Sequence, residues 1–173
     1  PALGEVMHSV TFKALDRIVE HTINSEADFL VLSGDLYDSR DRSLPAWVQF
    51  RQKMERLADR DVAVYVVHGN HDPLNGWGAD FELPQNVVVL GAEARSVSVV
   101  RKGKEIAQVT GISYQQERVT ENLARSFPPP PNDVYSIAVL HANVGHQTEH
   151  ANYAPASVAD LVDSGFSYWA LGH

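Results

Sequence analysis

Four short apolar segments of the sequence each end in one polar residue that can bind a metal ion. The segments read FLVLSGD, VYVVHGN, IAVLH and YWALGH, and they end in Asp35, Asn70, His141 and His173. Turn formation explains an Asp or an Asn after a strand, but it gives no reason for a histidine to follow a strand twice. A carboxylate, an amide oxygen and two imidazoles together form a ligand set that suits manganese, iron or zinc.

The four segments are predicted to be strands of an α/β fold. Helical spacing of apolar residues predicts helices at 6–24, from Ser43 onward, at 117–126 and at 156–165. Further β segments are predicted at 86–91 and in a hairpin over 96–111 that turns at Lys102–Gly103. Helices that alternate with apolar strands are typical of a layered α/β fold with largely parallel central strands. Because ligands of such sheets gather beyond the carboxyl ends of the strands, we expect the four polar residues to converge there.

The composition limits what kind of protein this is. The 173 residues include no cysteine, so any metal must be bound by oxygen and imidazole nitrogen. No stretch approaches the roughly 20 apolar residues that span a bilayer, and the start does not resemble a secretion signal, so we expect a cytoplasmic protein outside membranes. The net charge of −8 argues against a broad nucleic-acid-coating surface, but not against an enzyme whose metal ions meet the phosphates.

The order of the polar motifs resembles that of the calcineurin-like metallophosphoesterases. The motifs are GDLYD (34–38), GNHD (69–72), LHANVG (140–145) and GH (172–173). The sequence between them is most similar to the bacterial SbcD-type DNA-repair exonucleases, especially where HANYAP (150–155) is followed by GFSYWALGH. The resemblance covers nearly the whole chain. It implies one metallophosphoesterase domain over residues 1–173, folded as an α/β/β/α sandwich.

The same resemblance implies two divalent metal ions, with manganese expected first and iron, zinc or magnesium as alternatives. Asp35 would bridge the two ions, and Asn70, His141 and His173 would complete one of the two sites. Two such ions can activate water and clamp both the attacking and the leaving oxygen of a phosphodiester. The resemblance therefore implies hydrolysis of phosphoester bonds.

Two further residues take catalytic roles under this resemblance. His71 would protonate the leaving oxygen or stabilise the transition state, and Asp38 would hold the His71 ring in orientation. Arg40 and Arg42 follow the GDLYD motif and could contact phosphate as bidentate donors, or they could form a solvated charge cluster with Asp41.

Three other histidines have weaker claims to a functional role. His68 is expected to be a packed strand histidine, although its position two residues before Asn70 could bring it near the site. His146 and His150 are expected to be exposed loop residues, with an overhang above the cleft as the alternative.

The sequence departs from the family pattern at both ends. The opening Asp-x-His motif of the family is absent, and the closing Gly-His-x-His motif stops at Gly172–His173. We therefore expect the sequence to be part of a longer chain that supplies the first strand and a C-terminal part. By itself, the 173-residue chain is expected to be weakly active or inactive.

Three functions remain open at this point. The leading hypothesis is a manganese-dependent DNA exonuclease or endonuclease that works with an SbcC-like coiled-coil ATPase, possibly as a homodimer; only the resemblance supplies the DNA and the partners. The second is a small-molecule phosphodiesterase or phosphatase on the same fold, which the acidic charge favours. The third is a non-catalytic scaffold that retains half of the metal site.

Overall fold

The computed structural model of the chain describes residues 3–78, 81–145 and 153–173, with side chains described from Phe12 onward. The helices are α1 (Leu3–Asn24), α2 (Leu44–Ala58) and the short α3 (Val158–Val162). The strands are β1 (Phe29–Ser33), β2 (Ala63–Val67), β3 (Val87–Val89), β4 (Arg95–Arg101), β5 (Lys104–Ile112), β6 (Ser136–His141) and β7 (Tyr168–Gly172). No described helix is long and apolar enough to cross a bilayer.

The strands form two sheets. The first has the order β1-β2-β3 and is parallel throughout. The second has the order β4-β5-β6-β7, in which β4 and β5 form an antiparallel hairpin and β5, β6 and β7 run parallel. The hairpin turns at Lys102 and Gly103, which both have positive φ, as the predicted tight turn requires.

The two sheets pack face to face and are covered by helical segments on their outer sides. Alternate residues of β2 show this layering, because successive side chains of a strand point to opposite faces. Tyr65 and Val67 lie in the core between the sheets. Val64 and Val66 lie in the core beneath the helices, with Val19 and three residues of α2. A third apolar cluster lies on the far side of the second sheet, where α3 is found. The expected α/β/β/α sandwich is confirmed.

Helix α2 forms where the sequence predicted it. The side chain of Ser43 accepts a hydrogen bond from the backbone N–H of Ala46, and Pro45 occupies the first turn, where its missing N–H costs nothing. One face of the helix is buried, and its residues follow helical spacing: Trp47, Phe50, Met54 and Leu57. Capping and the apolar stripe together position this helix against the first sheet.

The helix predicted over 117–126 is wrong. Only a 3₁₀ turn forms there, from Leu123 to Ser126, with Asn122 as its N-cap. The backbone carbonyl of Val119 accepts a hydrogen bond from the N–H of Ala154, so it is used in a long-range contact instead of a helical one. The prolines that begin at Pro128 prevent the turn from continuing into a longer helix.

We predict that Asn86→Ala lowers the free energy of unfolding by about 2 kcal/mol, because two carbonyls lose their donor. The side-chain amide of Asn86 donates to the carbonyls of Met54 and Val62 at 3.1 and 3.0 Å, which joins the end of α2 to the start of β2. Urea unfolding followed by circular dichroism measures the loss. The exposed Asn24→Ala is the control, and equal effects of the two substitutions would contradict the prediction.

Candidate metal centre

The four predicted ligands lie together at one edge of the sandwich. Asp35 follows β1, Asn70 follows β2, His141 ends β6 and His173 follows β7. Nε2 of His141 lies 3.1 Å from Oδ1 of Asn70 and 3.3 Å from Oδ2 of Asp35. Nδ1 of His173 lies 3.2 Å from the same His141 nitrogen. The structure therefore gathers the four side chains around Nε2 of one buried histidine.

His141 is held in the orientation that a metal ligand needs. Its side chain is fully buried, and its Nδ1 lies 2.9 Å from the carbonyl oxygen of Ser33. An N–H at Nδ1 that donates to this carbonyl leaves the lone pair on Nε2, which faces Asp35 and Asn70. The ring of Tyr114 packs edge-on against the imidazole at 5.5 Å and fixes its plane.

The electrostatics of the site keep the Asp35 carboxylate ionised. Burial raises the pKa of Asp35, but hydrogen bonds from His141 and from the backbone N–H of His71 outweigh burial, and the pKa is lowered. Burial also lowers the pKa of His141, but hydrogen bonds to Asp35 and Ser33 outweigh it, and that pKa is raised. A cation bound at Nε2 of His141 would stabilise the negative charge of Asp35 in the same way as the proton of the His141 imidazolium does.

The residues present fit one divalent cation. Asp35, His141 and His173 each offer one ligand atom, and these three atoms all lie within 4.8 Å of one another. The amide oxygen of Asn70 adds a fourth donor at the same place. Oxygen and imidazole donors match manganese, iron and zinc better than a soft metal. The resemblance implies two ions, and under it these four residues would provide most of one site while Asp35 would also contribute to the other.

The glycine before each of two ligands is explained by close packing. A Cβ on Gly69 would lie 2.5 Å from Oδ1 of Asp35, and one on Gly172 would lie 1.9 Å from the carbonyl oxygen of Ser33. Both distances are shorter than any normal contact, so only glycine lets the ends of β1, β2 and β7 approach one another this closely. The repeated Gly in the sequence therefore reflects the close approach of these strand ends at the candidate metal centre.

Asp72 is an important residue to which sequence reasoning assigned no role. Its side chain is completely buried and accepts three backbone hydrogen bonds, from Asp35 at 3.1 Å, Leu36 at 3.0 Å and Gly69 at 2.7 Å. It thereby joins the loop that carries Asp35 to the loop that carries Asn70. In the sequence, Asp72 is visible only as the last residue of the GNHD motif, and aspartate is also an ordinary turn residue.

His71 and Asp38 form a pair beside the metal centre. Nδ1 of His71 lies 3.1 Å from Oδ2 of Asp38, and both side chains are partly exposed. The backbone N–H of His71 donates to Oδ1 of Asp35 at 3.0 Å, which ties the pair to the ligand set. Burial raises the pKa of Asp38, but hydrogen bonds from the Arg40 backbone and from His71 outweigh it and lower that pKa. The pairing leaves Nε2 as the ring nitrogen of His71 that is not directed at Asp38.

The remaining candidates lie in different surroundings. The guanidinium of Arg40 forms an ion pair with Glu117, while its backbone N–H donates to Asp38 at 2.9 Å. Arg42 is exposed. Phosphate contact by either arginine stays a prediction. His68 is buried, as expected for a packed strand histidine. His146 and His150 lie outside the described residues.

A centre of this composition, at the shared edge of two packed sheets, is that of a metallophosphoesterase. The family model of the calcineurin-like phosphoesterases matches residues 7–173, and the chain belongs to this family. Metallophosphoesterases bind divalent metals, and the cluster of Asp35, His141 and His173 is a candidate group for that purpose.

Similar proteins include a metallophosphoesterase and proteins named for DNA double-strand break repair. The chain is 35% identical over its full length to the uncharacterised metallophosphoesterase YhaO of Bacillus subtilis and covers 42% of that protein. It is 25% identical over 99% of its length to the DNA double-strand break repair protein Mre11 of Sulfurisphaera tokodaii, and 27% identical over 94% to that of Thermoplasma acidophilum. It covers 46% and 44% of these two. The chain therefore spans less than half the length of each relative.

We predict that Asp72→Asn weakens Mn²⁺ binding about tenfold or more, although Asp72 is not a ligand. An amide keeps only one acceptor oxygen, its NH2 group would face at least one backbone N–H that the carboxylate now accepts, and the negative charge is lost, so the join between the two ligand loops is weakened. Isothermal calorimetry of the full-length natural protein with Mn²⁺ measures the affinity. Asp41→Asn, at an exposed position in the same region, is the control. Unchanged affinity in Asp72→Asn would refute this role.

Proposed function

We propose that this chain forms the catalytic domain of a metal-dependent phosphodiesterase that hydrolyses DNA, as an exonuclease or endonuclease. The observation that carries the proposal is the His71–Asp38 pair, which is linked through the His71 backbone to Asp35 of the metal centre. A proton-transfer group thus lies next to the site where a phosphate would bind to metal. Neither a pure structural metal site nor a simple turn requires that neighbour.

The residues divide the reaction between binding and proton transfer. Asp35, Asn70, His141 and His173 would hold metal, which when bound polarises the phosphoryl oxygens and lowers the pKa of water. His71 protonates the leaving oxygen through Nε2, and Asp38 keeps the imidazole in the required orientation through Nδ1. The partly exposed position of His71 suits a group that must reach a substrate from solution.

The DNA substrate is supported by the Mre11 relatives, whose name states a role in DNA double-strand break repair. Manganese as the metal, a cytoplasmic location, a coiled-coil ATPase partner and a homodimer belong to the same proposal. A small-molecule phosphodiesterase is the second candidate. The net charge of −8 favours it, because a duplex-binding surface is normally basic.

The proposal is tested with the full-length natural protein and Mn²⁺ on linear duplex DNA, single-stranded DNA and a cyclic nucleotide. We expect metal-dependent cleavage of DNA that a chelator abolishes. Faster turnover of the cyclic nucleotide than of DNA would favour the second candidate. If none of these phosphoesters is hydrolysed in a metal-dependent manner, the non-catalytic scaffold hypothesis replaces the proposal.

We predict that His71→Ala lowers the turnover of DNA by about a hundredfold or more, because a positioned proton donor contributes that much to such reactions. Metal content, measured by elemental analysis, stays that of the unchanged protein, since the His71 side chain is outside the ligand set. His21→Ala, an exposed histidine on α1, is the matched control. Equal turnover in the two variants would exclude His71 as the proton donor.

A further inference from the structure

Three loops are joined to one another beside the histidine–aspartate pair of the candidate site. The backbone N–H of Ser39 donates to the carbonyl of His71 at 2.8 Å, which joins the loop at 35–42 to the loop at 69–76. Two backbone hydrogen bonds of 2.9 and 3.2 Å join the second of these loops to a third, at 113–118. The third loop is therefore held next to the pair, although the sequence assigned no site residue to it.

One ion pair connects the first loop directly to the third. The guanidinium of Arg40 lies against the carboxylate of Glu117, and 68% and 46% of the two side chains are exposed. An exposed ion pair contributes little to stability, because water and salt screen both charges. The pair can therefore open at small cost when another anion is offered to Arg40.

Arg40 is also fixed to the histidine–aspartate pair through its own backbone. Its N–H donates to Oδ1 of Asp38 at 2.9 Å, while Oδ2 of the same carboxylate lies 3.1 Å from Nδ1 of His71. Burial raises the pKa of Asp38, but hydrogen bonds from Arg40 and His71 and the positive charges of both residues outweigh burial and lower it. The base of the Arg40 side chain is thus held beside the residue proposed to protonate the leaving oxygen.

A nucleic acid strand carries a series of phosphates, so a strand with one phosphate at the metal centre places others beside it. A guanidinium binds phosphate through two parallel N–H bonds, which combine charge with a fixed geometry. Arg40 has the two properties that recognition of such a neighbouring phosphate needs, a backbone fixed to the site and an exposed guanidinium. Glu117 competes for the same donors, and its charge repels the strand.

We propose that Arg40 binds the phosphate next to the scissile one in a nucleic acid strand, and that Glu117 is the competing anion from which Arg40 is released. The inference rests on the phosphodiesterase function proposed above and makes this ion pair a determinant of the substrate class. A strand gains the contact with Arg40, whereas a cyclic nucleotide has no second phosphate to offer. Glu117 lowers the affinity for every strand by the cost of opening the ion pair.

Equilibrium binding tests the proposal without any turnover. Fluorescence anisotropy measures the affinity of the full-length natural protein for labelled dodecathymidylate, with EDTA present to prevent hydrolysis. We expect Arg40→Gln to weaken binding about tenfold and Glu117→Gln to tighten it about threefold. The slope of log affinity against log salt concentration is expected to become shallower by about 0.7 in Arg40→Gln, because one phosphate contact is lost.

A second ion pair supplies the matched controls. Arg51 and Glu55 form an exposed pair within α2, with 47% and 46% of their side chains exposed. Arg51→Gln and Glu55→Gln make the same charge changes outside the three loops, and we expect each to change the affinity less than about twofold because salt screens such charges.

Three binding results would each overturn the proposal. The first is an affinity in Arg40→Gln that equals that of Arg51→Gln, and the second is no binding of the strand by the unchanged protein. The third is a tightening by Glu117→Gln that also appears in the Arg40→Gln background or in Glu55→Gln, because removal of any negative charge would then explain it.

Turnover with Mn²⁺ separates this inference from the proposed function. Arg40→Gln is expected to raise KM for single-stranded DNA about tenfold more than KM for a cyclic nucleotide. If the unchanged protein cleaves DNA and the variant has the same KM, the role of Arg40 is refuted and the phosphodiesterase function stands. If the expected binding changes appear but no phosphoester is hydrolysed, the contact of Arg40 with the strand stands and the proposed reaction fails.

Discussion

The hydrogen bonds to the buried carboxylate of Asp72 are the interactions on which the candidate metal centre depends. Its oxygens accept N–H groups from Asp35, Leu36 and Gly69, so one side chain ties together the loops that follow β1 and β2. A buried charge is tolerated only where hydrogen bonds replace the water that it has lost. The two loops are therefore joined by hydrogen bonds of the protein itself, so less ordering would have to accompany the binding of a metal ion.

The second sheet is held to the first at the candidate site by a hydrogen bond of His141. His141 lies at the end of β6 with its Nδ1 on the carbonyl of Ser33, which belongs to β1 of the first sheet. The two sheets are thus joined at the functional edge by a polar contact as well as by the apolar core between them. A shift of one sheet against the other would break this contact, so the register of the sandwich and the geometry of the site are coupled.

Much of this architecture could be predicted from the sequence. The strands were predicted because each is a short apolar run, and convergence of their polar last residues followed from parallel pairing. Asp35, Asn70, His141 and His173 do meet at one edge, and His71 does lie against Asp38. The α2 helix was predictable because its N-cap and its apolar stripe indicate the same helix.

The rest depends on contacts that no local pattern records. Asp72 resembles a turn residue in sequence, and only the fold shows three N–H groups directed at it. The guanidinium of Arg40 forms an ion pair with Glu117, which is far away along the chain, and no local pattern records that contact. The segment from 117 to 126 has helix-forming residues, but a long-range hydrogen bond from the N–H of Ala154 to the carbonyl of Val119 competes with the helix.

The backbone of Asp35 has a φ of 54°, a left-handed conformation that residues other than glycine seldom adopt. Aspartate and asparagine tolerate this conformation better than longer or branched side chains do. Glutamate would therefore fit poorly at this position for two reasons, even though its charge is the same. It tolerates the left-handed backbone less well, and its longer side chain would place the carboxylate in a different position. The identity of this residue is restricted by the path of the main chain independently of its role toward a metal.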